Sequence, residues 1–590
     1  MKMQTTWDLK KLYNSLDDPQ MTRDMDALEK AYAAFEKKYK NNTAYLADNT
    51  KLLQALKEYE KLIELKNPGI YLFLYKDIDS SNPKVEAKST MISHQMSVAS
   101  NRIVFFSINL GKLSKIRQKE LLADTKFAHF WYFLKVLFDQ SMHDLTEAEE
   151  KIVNLLSLPA YSMWVDGQKK LLGIQTIKFK GKDMPFTEAL EKVASLPVKD
   201  RRAVWKLIIE KMKSVSAFAE SELNAVVTEK KIIDELRGYT KPYSSTVLKY
   251  QNDEESVESL VGTVTSQFHI AQRFYKVKKQ LLGLPELTYI DKSVSAGEGK
   301  NKKKFPFDQA VKIVESAFSK VNKKYADYLR SYLQEGQIDV FPRKNKRSGG
   351  YCAPSFGNPT YILLNHTDDF HSVTTLAHEM GHAIHSEFSK TQPALYEDVS
   401  TSVAEVASTF FEHFAFDEVF ETLSEKEKMY ALHDRLNNDI STIFRQIALF
   451  NFENELHVTI REKGTLSKDE IAKLLAKHMR AYLGPAVKVT DDDGYSFMSW
   501  PHIRYFFYVY SYAYGQIISH ALYAKYKEDN SYIQKVDEFL KAGGSKSPEQ
   551  IFKDIGIDTT RPSFFEAGLK SIEEDVIRLE KMVKSATTKK

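Results

Sequence analysis

Cysteine is almost absent: Cys352 stands alone among 590 residues, so no disulfide can close within the chain. Long apolar runs are missing as well. No stretch approaches the roughly 20 residues that a membrane-spanning helix requires, and Met1 to Asp8 carries no apolar signal core. Charge of one sign is scarce, because 84 Lys+Arg against 79 Asp+Glu leaves a net +5, too little at this size to imply nucleic acid. Neither an internal repeat nor a low-complexity linker interrupts the chain. These absences exclude a disulfide scaffold, a membrane protein and a solenoid. They fit a cytoplasmic protein whose 43% hydrophobic content can bury a large core in more than one lobe. Basic residues gather locally at Lys300 to Lys304 and at Arg343 to Arg347, enough to attract an anionic partner; the first cluster reads as a solvated loop, and Lys589-Lys590 as a frayed tail.

Helical periodicity fills most of the chain, so the expected fold class is mostly α. Three consecutive pieces are expected: a helical lobe over 1–144, a small mixed lobe over 145–197, and a helix-rich catalytic domain over 198–590. Within the second piece, Gly167, Gly173 and Gly181 surround the β-like run Ile177 to Lys180, which predicts a hairpin. A further strand region, Gly349 to Pro354 and Tyr361 to Leu364, precedes the segment that carries the chemistry.

That segment is His378-Glu379-Met380-Gly381-His382. On a helix, positions i and i+4 share a face, so both imidazoles can reach one metal ion while Glu379 stands beside the water that such an ion activates. Leu376, Met380, Ala383, Ile384 and Phe388 recur at helical intervals, and no proline occurs from Ser372 to Gln392, so the motif lies on a half-buried helix. A catalytic zinc needs a third protein ligand. The metzincin continuation would put glycine at position 385 and histidine at 388, whereas the chain has His385 and Phe388. A glutamate from a later element remains. Glu405 is the first candidate, because it sits in the middle of an apolar helix over Val399 to Phe416, where an unpaired carboxylate would be costly. Glu387 and Glu397 are rivals. Glu412, two turns beyond Glu405, can steady a ligand histidine, and His385 reads as a residue beside the ligands rather than one of them.

Several ordered segments carry a family resemblance: Thr6 to Tyr13, Arg347 to Cys352, Pro359 to Asn365, Thr375 to His382 and Ala404 to Thr409. Together they resemble the oligoendopeptidase F group within the thimet oligopeptidase family of zinc peptidases. The resemblance spans nearly the whole chain. It implies a multi-lobed helical oligopeptidase with a deep channel, a small sheet beside the zinc helix, and cleavage of internal bonds in short peptides. Carried over residue by residue, it makes His378, His382 and Glu405 the ligands of one zinc ion per chain and Glu379 the general base. It also makes Gly349, Gly350 and Tyr351 part of a strand that pairs with substrate backbone, and glycine there does let another backbone approach.

Trp500 to Tyr514 is an aromatic stripe that by itself reads as core packing. The resemblance implies instead that a histidine and tyrosines from this stretch donate hydrogen bonds to the oxyanion at the cleaved carbonyl. The candidates are His502, Tyr508 and Tyr510, with Tyr505 as an alternate. Asp491 to Gly494 lacks the spacing of an EF-hand and reads as a flexible turn. The competing activity is a zinc exopeptidase, a carboxypeptidase or dipeptidase, for which Arg504 would clamp a terminal carboxylate. The expected partners are short peptides, with neither nucleic acid nor membrane; the oligomeric state is not legible.

Overall fold

Trp7 fastens the N-terminal segment to a small sheet by donating its indole N–H to the carbonyls of Gln337 and Ile362 (3.1 and 2.8 Å). In this computed structural model, which describes residues 3–297, 303–397 and 399–588, that sheet has three strands. Strand β1 (Ile338–Asp339) runs parallel to the central β3 (Tyr361–Leu363), and β2 (Tyr351–Ala353) pairs antiparallel on the other side, with Cys352 opposite Ile362. Strand β2 is therefore an edge. Both strands read from the sequence are present, and so is the hairpin, Thr176–Phe179 with Lys182–Pro185, turning through positive φ at Lys180 and Gly181.

Helix α1 (Phe370–Ser389) carries the motif. It starts where the Asp369 carboxylate accepts the Ser372 backbone N–H at 2.7 Å, which satisfies one of the orphan donors of the first turn. Val373, Leu376, Ala377, Met380, Ala383 and Ile384 are wholly buried. Helix α2 (Thr401–Phe420) is apolar nearly all round and is buried accordingly, with Phe411 edge-on to Phe318 and Tyr325 (5.3 and 4.9 Å between centroids). The two helices meet at Gly381. A Cβ there would stand 2.8 Å from the Ser408 Cα and 3.1 Å from the Phe411 Cβ, so glycine is what lets α1 and α2 touch.

The chain forms two compact units, each built from three separate stretches. The first comprises Met1–Met142, Lys302–Glu421 and Tyr526–Ile555 and contains the sheet, α1 and α2. The second comprises His143–Asn301, Thr422–Lys525 and Gly556–Lys590. It contains α3 (Gln446–Lys463), most of α4 (Tyr510–Glu528) and the fully buried rings of Tyr275, Tyr289 and Tyr482. Sequence periodicity draws three consecutive lobes instead, because it reports local structure and not which distant stretches pack together.

Three local expectations change. The Arg343 to Arg347 cluster is absorbed by acids, Arg343 and Lys346 on Asp339 and Arg347 on Asp77. Asp492–Ser499 is a 3₁₀ helix in which Asp493 accepts the Trp205 indole N–H at 2.7 Å, not an open turn. The aromatic stripe is not one helix: Pro501–Arg504 is a 3₁₀ turn, Phe506 and Phe507 have φ of 51° and 61°, and α4 begins only at Tyr510. Lys300 and Lys302 of the first basic cluster, and Lys589-Lys590, lie outside the described residues. Among the described residues, no helix is long and apolar enough to cross a membrane.

The Gly381 contact is testable. Gly381→Ala should cost about 1–3 kcal/mol by forcing α1 and α2 apart, whereas Gly173→Ala, with nothing within 4 Å of the added Cβ, should leave the unfolding midpoint nearly unchanged. Equal midpoints for both variants in thermal denaturation would remove the close contact from the account.

Candidate metal centre and substrate cavity

Helical spacing places His378 and His382 one turn apart on α1, their rings 5.1 Å apart and nearly perpendicular. Helix α2 brings Glu405 against them, with its Oε2 3.6 Å from Nε2 of His378. One donor atom from each of the three residues lies within 4.8 Å of the others. Tetrahedral ligands at about 2.0–2.1 Å from zinc stand roughly 3.3 Å from one another, so the spread suits one such ion. Glu412, two turns along α2, meets Nδ1 of His378 at 3.3 Å and so turns Nε2 toward Glu405. Glu405 lies in the second turn of α2 rather than mid-helix, and its side chain is 36% exposed. Its aim, not a burial penalty, singles it out. Both rivals are engaged elsewhere: Glu397 pairs with Lys66, and Glu387 accepts from the Tyr332 hydroxyl at 2.8 Å and from Lys390.

The charges converge on a cation. Burial pulls the His378 imidazole down, but the Glu412 hydrogen bond and the charges of Glu412, Glu379 and Glu405 outweigh it and hold the ring up at about 9. A cluster that so favours positive charge at its centre, a proton's or an ion's, fits a divalent metal with two imidazoles and a carboxylate. Burial, then the charges of His378 and His385, keeps His382 neutral and able to ligate. Burial raises the Glu379 carboxyl to about 7, with His378 opposing and Glu405 and Glu412 adding to the shift.

A cavity of about 700 Å³ opens beside these groups within the first unit. Its wall includes Cys352 of the edge strand, Gly350 just before it (the strand begins at Tyr351 and does not include Gly349 or Gly350) and, along α1, Glu379, Ser386 and Ser389. Gly349 takes φ of 83°, and a Cβ on Gly350 would stand 3.1 Å from Oε1 of Glu379, so bulk at position 350 would press on that carboxyl. Tyr351 turns its ring toward Trp7 and Phe73, leaving its backbone to the cavity. His385 also lines the cavity; its ring packs 5.5 Å from Phe539, and burial lowers it to about 4. It is not among the grouped donors. Ser386 and Ser389 went unnamed in the sequence, although their spacing from His382 (i+4, i+7) puts them on the same helical face.

The remaining candidates belong to the second unit. His502 is half-buried and stacks on Tyr508 with 5.7 Å between centroids and 7° between planes. Tyr505 lies 62% exposed, 6.2 Å from Tyr508. Tyr512, missed in the sequence, joins from the first turn of α4, 5.7 Å from Tyr508. Tyr510 faces the other way: it is fully buried, and its hydroxyl donates to the Asn252 side chain at 3.0 Å, a packing role in place of the expected oxyanion donor. Arg504 cannot serve as a carboxylate clamp. Its buried guanidinium is bidentate to Glu222 (2.9 and 2.6 Å) and also donates to the carbonyl of Phe497.

Chelator titration separates the carboxylates. Glu405→Ala should lose most zinc affinity, Glu412→Ala should lose about 10–100-fold through its histidine, and Glu397→Ala should bind as the parent does. Parental affinity in Glu405→Ala would reject it as a ligand.

Comparison with known proteins gives the family and the fold. The sequence model of Peptidase family M3 matches residues 198–571. Oligopeptidase PepF of Bacillus subtilis is 23% identical over 594 residues, covering 99% of this chain and 88% of that protein. Group B oligopeptidase PepB of Streptococcus agalactiae is 25% identical over 559 residues, covering 92% of each. Among solved structures, one from Chlamydophila abortus superposes with a TM-score of 0.86 at 22% identity, covering 98% of both chains. Oligoendopeptidase-F from Enterococcus faecium superposes with a TM-score of 0.70 at 18% identity, covering 96% of this chain and 100% of the other. These likenesses carry the fold, and the matched family carries the activity class: the chain belongs to Peptidase family M3 and is a peptidase.

Proposed function

We propose that the chain is a zinc-dependent oligoendopeptidase that hydrolyses internal bonds of short peptides, with the ion held by His378, His382 and Glu405. The observation that carries this reading is the convergence of those three donors beside the buried carboxyl of Glu379. A cytoplasmic location accords with the single cysteine, which requires no oxidising compartment.

A bound zinc ion supplies Lewis acidity toward the scissile carbonyl and lowers the pKa of water. Substrate backbone adds to the free edge of β2, which Gly350 precedes; glycine there admits close approach, and backbone pairing leaves side-chain choice open. Glu379 then takes the proton of the attacking water and returns it to the leaving nitrogen; burial raises its carboxyl and so makes it a stronger base than a solvated glutamate. His502 and Tyr508 donate to the oxyanion, a role that rests on the family pattern. The exopeptidase alternative loses support, because Arg504 is consumed by Glu222.

Peptides acetylated at the N-terminus and amidated at the C-terminus, with products identified by mass spectrometry, separate the two activities. Internal cleavage of the blocked peptides is expected, and Glu379→Gln should retain zinc while turnover falls about 10²–10⁴-fold. Cleavage only of unblocked peptides, one or two residues from an end, would replace this reading with the exopeptidase.

A further inference from the structure

The turn that carries Tyr508 adopts a backbone that its own residues disfavour. Phe506 and Phe507 are consecutive at φ of 51° and 61°, in a region that bulky L-residues rarely enter. Such a turn persists only where its surroundings over-determine it. Here the Tyr161 hydroxyl donates to the Arg504 carbonyl, the Thr246 hydroxyl donates to the Phe506 carbonyl at 3.0 Å, and Oε1 of Glu453 accepts the Phe507 N–H at 3.1 Å. Phe507 is fully buried against Phe450, Tyr243 and His457 (5.4, 5.9 and 4.8 Å between centroids). In that apolar setting the Phe507 N–H would go unpaired without Glu453. Glu453 lies on α3, is fully buried, and its Oε2 has no hydrogen-bond partner among the described residues.

We propose that Glu453 is a positioning residue: by capturing the Phe507 N–H it fixes the left-handed turn and thereby holds Tyr508 in its stack on His502. The peptide after the turn is fixed as well, because the Tyr508 carbonyl accepts from the backbone N–H and hydroxyl of Ser511 (3.0 and 2.8 Å). Burial raises the Glu453 carboxyl to about 8, so the group acts as a neutral acid that glutamine closely mimics. This role rests on the proposed oxyanion function of His502 and Tyr508.

The test compares Glu453→Gln, which keeps an acceptor, with Glu453→Met, which removes it, using steady-state kinetics on a blocked peptide and the zinc-loaded enzyme. The methionine variant should lose about tenfold or more in kcat with KM little changed, and glutamine should restore kcat to within about threefold of the parent. Combined with Tyr508→Phe, Glu453→Met should add little further loss, because both act on the same donor. If Glu453→Met does not fold, Thr246→Val, which releases the Phe506 carbonyl, should lower kcat in the same direction. Parental kcat in the acceptor-free variant, glutamine as damaging as methionine, or losses that multiply with Tyr508→Phe would overturn the role. If neither Tyr508→Phe nor His502→Ala lowers kcat, the oxyanion reading itself falls and the positioning role falls with it. Loss in those two variants but not in Glu453→Met rejects the positioning role alone.

Discussion

Helix α1 approaches α2 so closely at Gly381 that a single methyl group would stand 2.8 Å from the backbone of Ser408, and the proposed chemistry depends on that approach. Two histidines one turn apart define only a face. A carboxylate from a second helix must come within reach, and the reach of a glutamate side chain sets how far apart the helices can lie. Glycine at the crossing, aromatic packing behind α2 and the Asp369 cap at the start of α1 together place Glu405 and Glu412 on opposite nitrogens of one imidazole. Packing of the core and geometry of the site are one constraint.

The electrostatics follow from this packing. Three carboxylates stand around two imidazoles in a partly desolvated corner, and His378 responds with a ring held up at about 9 despite its burial. A site that recruits a proton so strongly also favours a divalent ion, because both neutralise the same field. Glu379 differs from its neighbours: it is buried and makes no close ion pair among the described residues, and its pKa rises toward neutrality. The carboxylates thus divide into one facing Nε2 of His378, one facing its Nδ1 and one buried carboxyl raised toward neutrality.

Much of this was legible in the sequence. The motif fixed which face of α1 presents His378 and His382, and the periodicity of Leu376, Met380 and Ala383 correctly buried the opposite face. The paired strands around Cys352 and Ile362 were also readable as the short segments Gly349 to Pro354 and Tyr361 to Leu364 before the motif helix. In the sequence Glu405 stands out for burial, whereas in the structure it stands out for its aim at His378, which depends on the helix crossing and has no local signature. The inward face of Tyr510 is not legible in the sequence, because an aromatic run assigns no face until the helix start is known, and two left-handed phenylalanines delay that start to Tyr510. Nothing about Phe506-Phe507 announces positive φ; the turn is imposed by Glu453, Thr246 and Tyr161, residues distant in sequence. The discontinuous units were invisible for the same reason.

The central claim is that α1 and α2 together supply the metal's protein ligands, and zinc K-edge X-ray absorption on the zinc-loaded protein tests it most directly. The account predicts two imidazole nitrogens and a carboxylate oxygen at about 2.0–2.2 Å, with the spectrum of Glu405→Ala losing the carboxylate contribution. A sulfur scatterer at about 2.3 Å, which only Cys352 or a methionine could provide, or a single imidazole in the coordination shell, would contradict it.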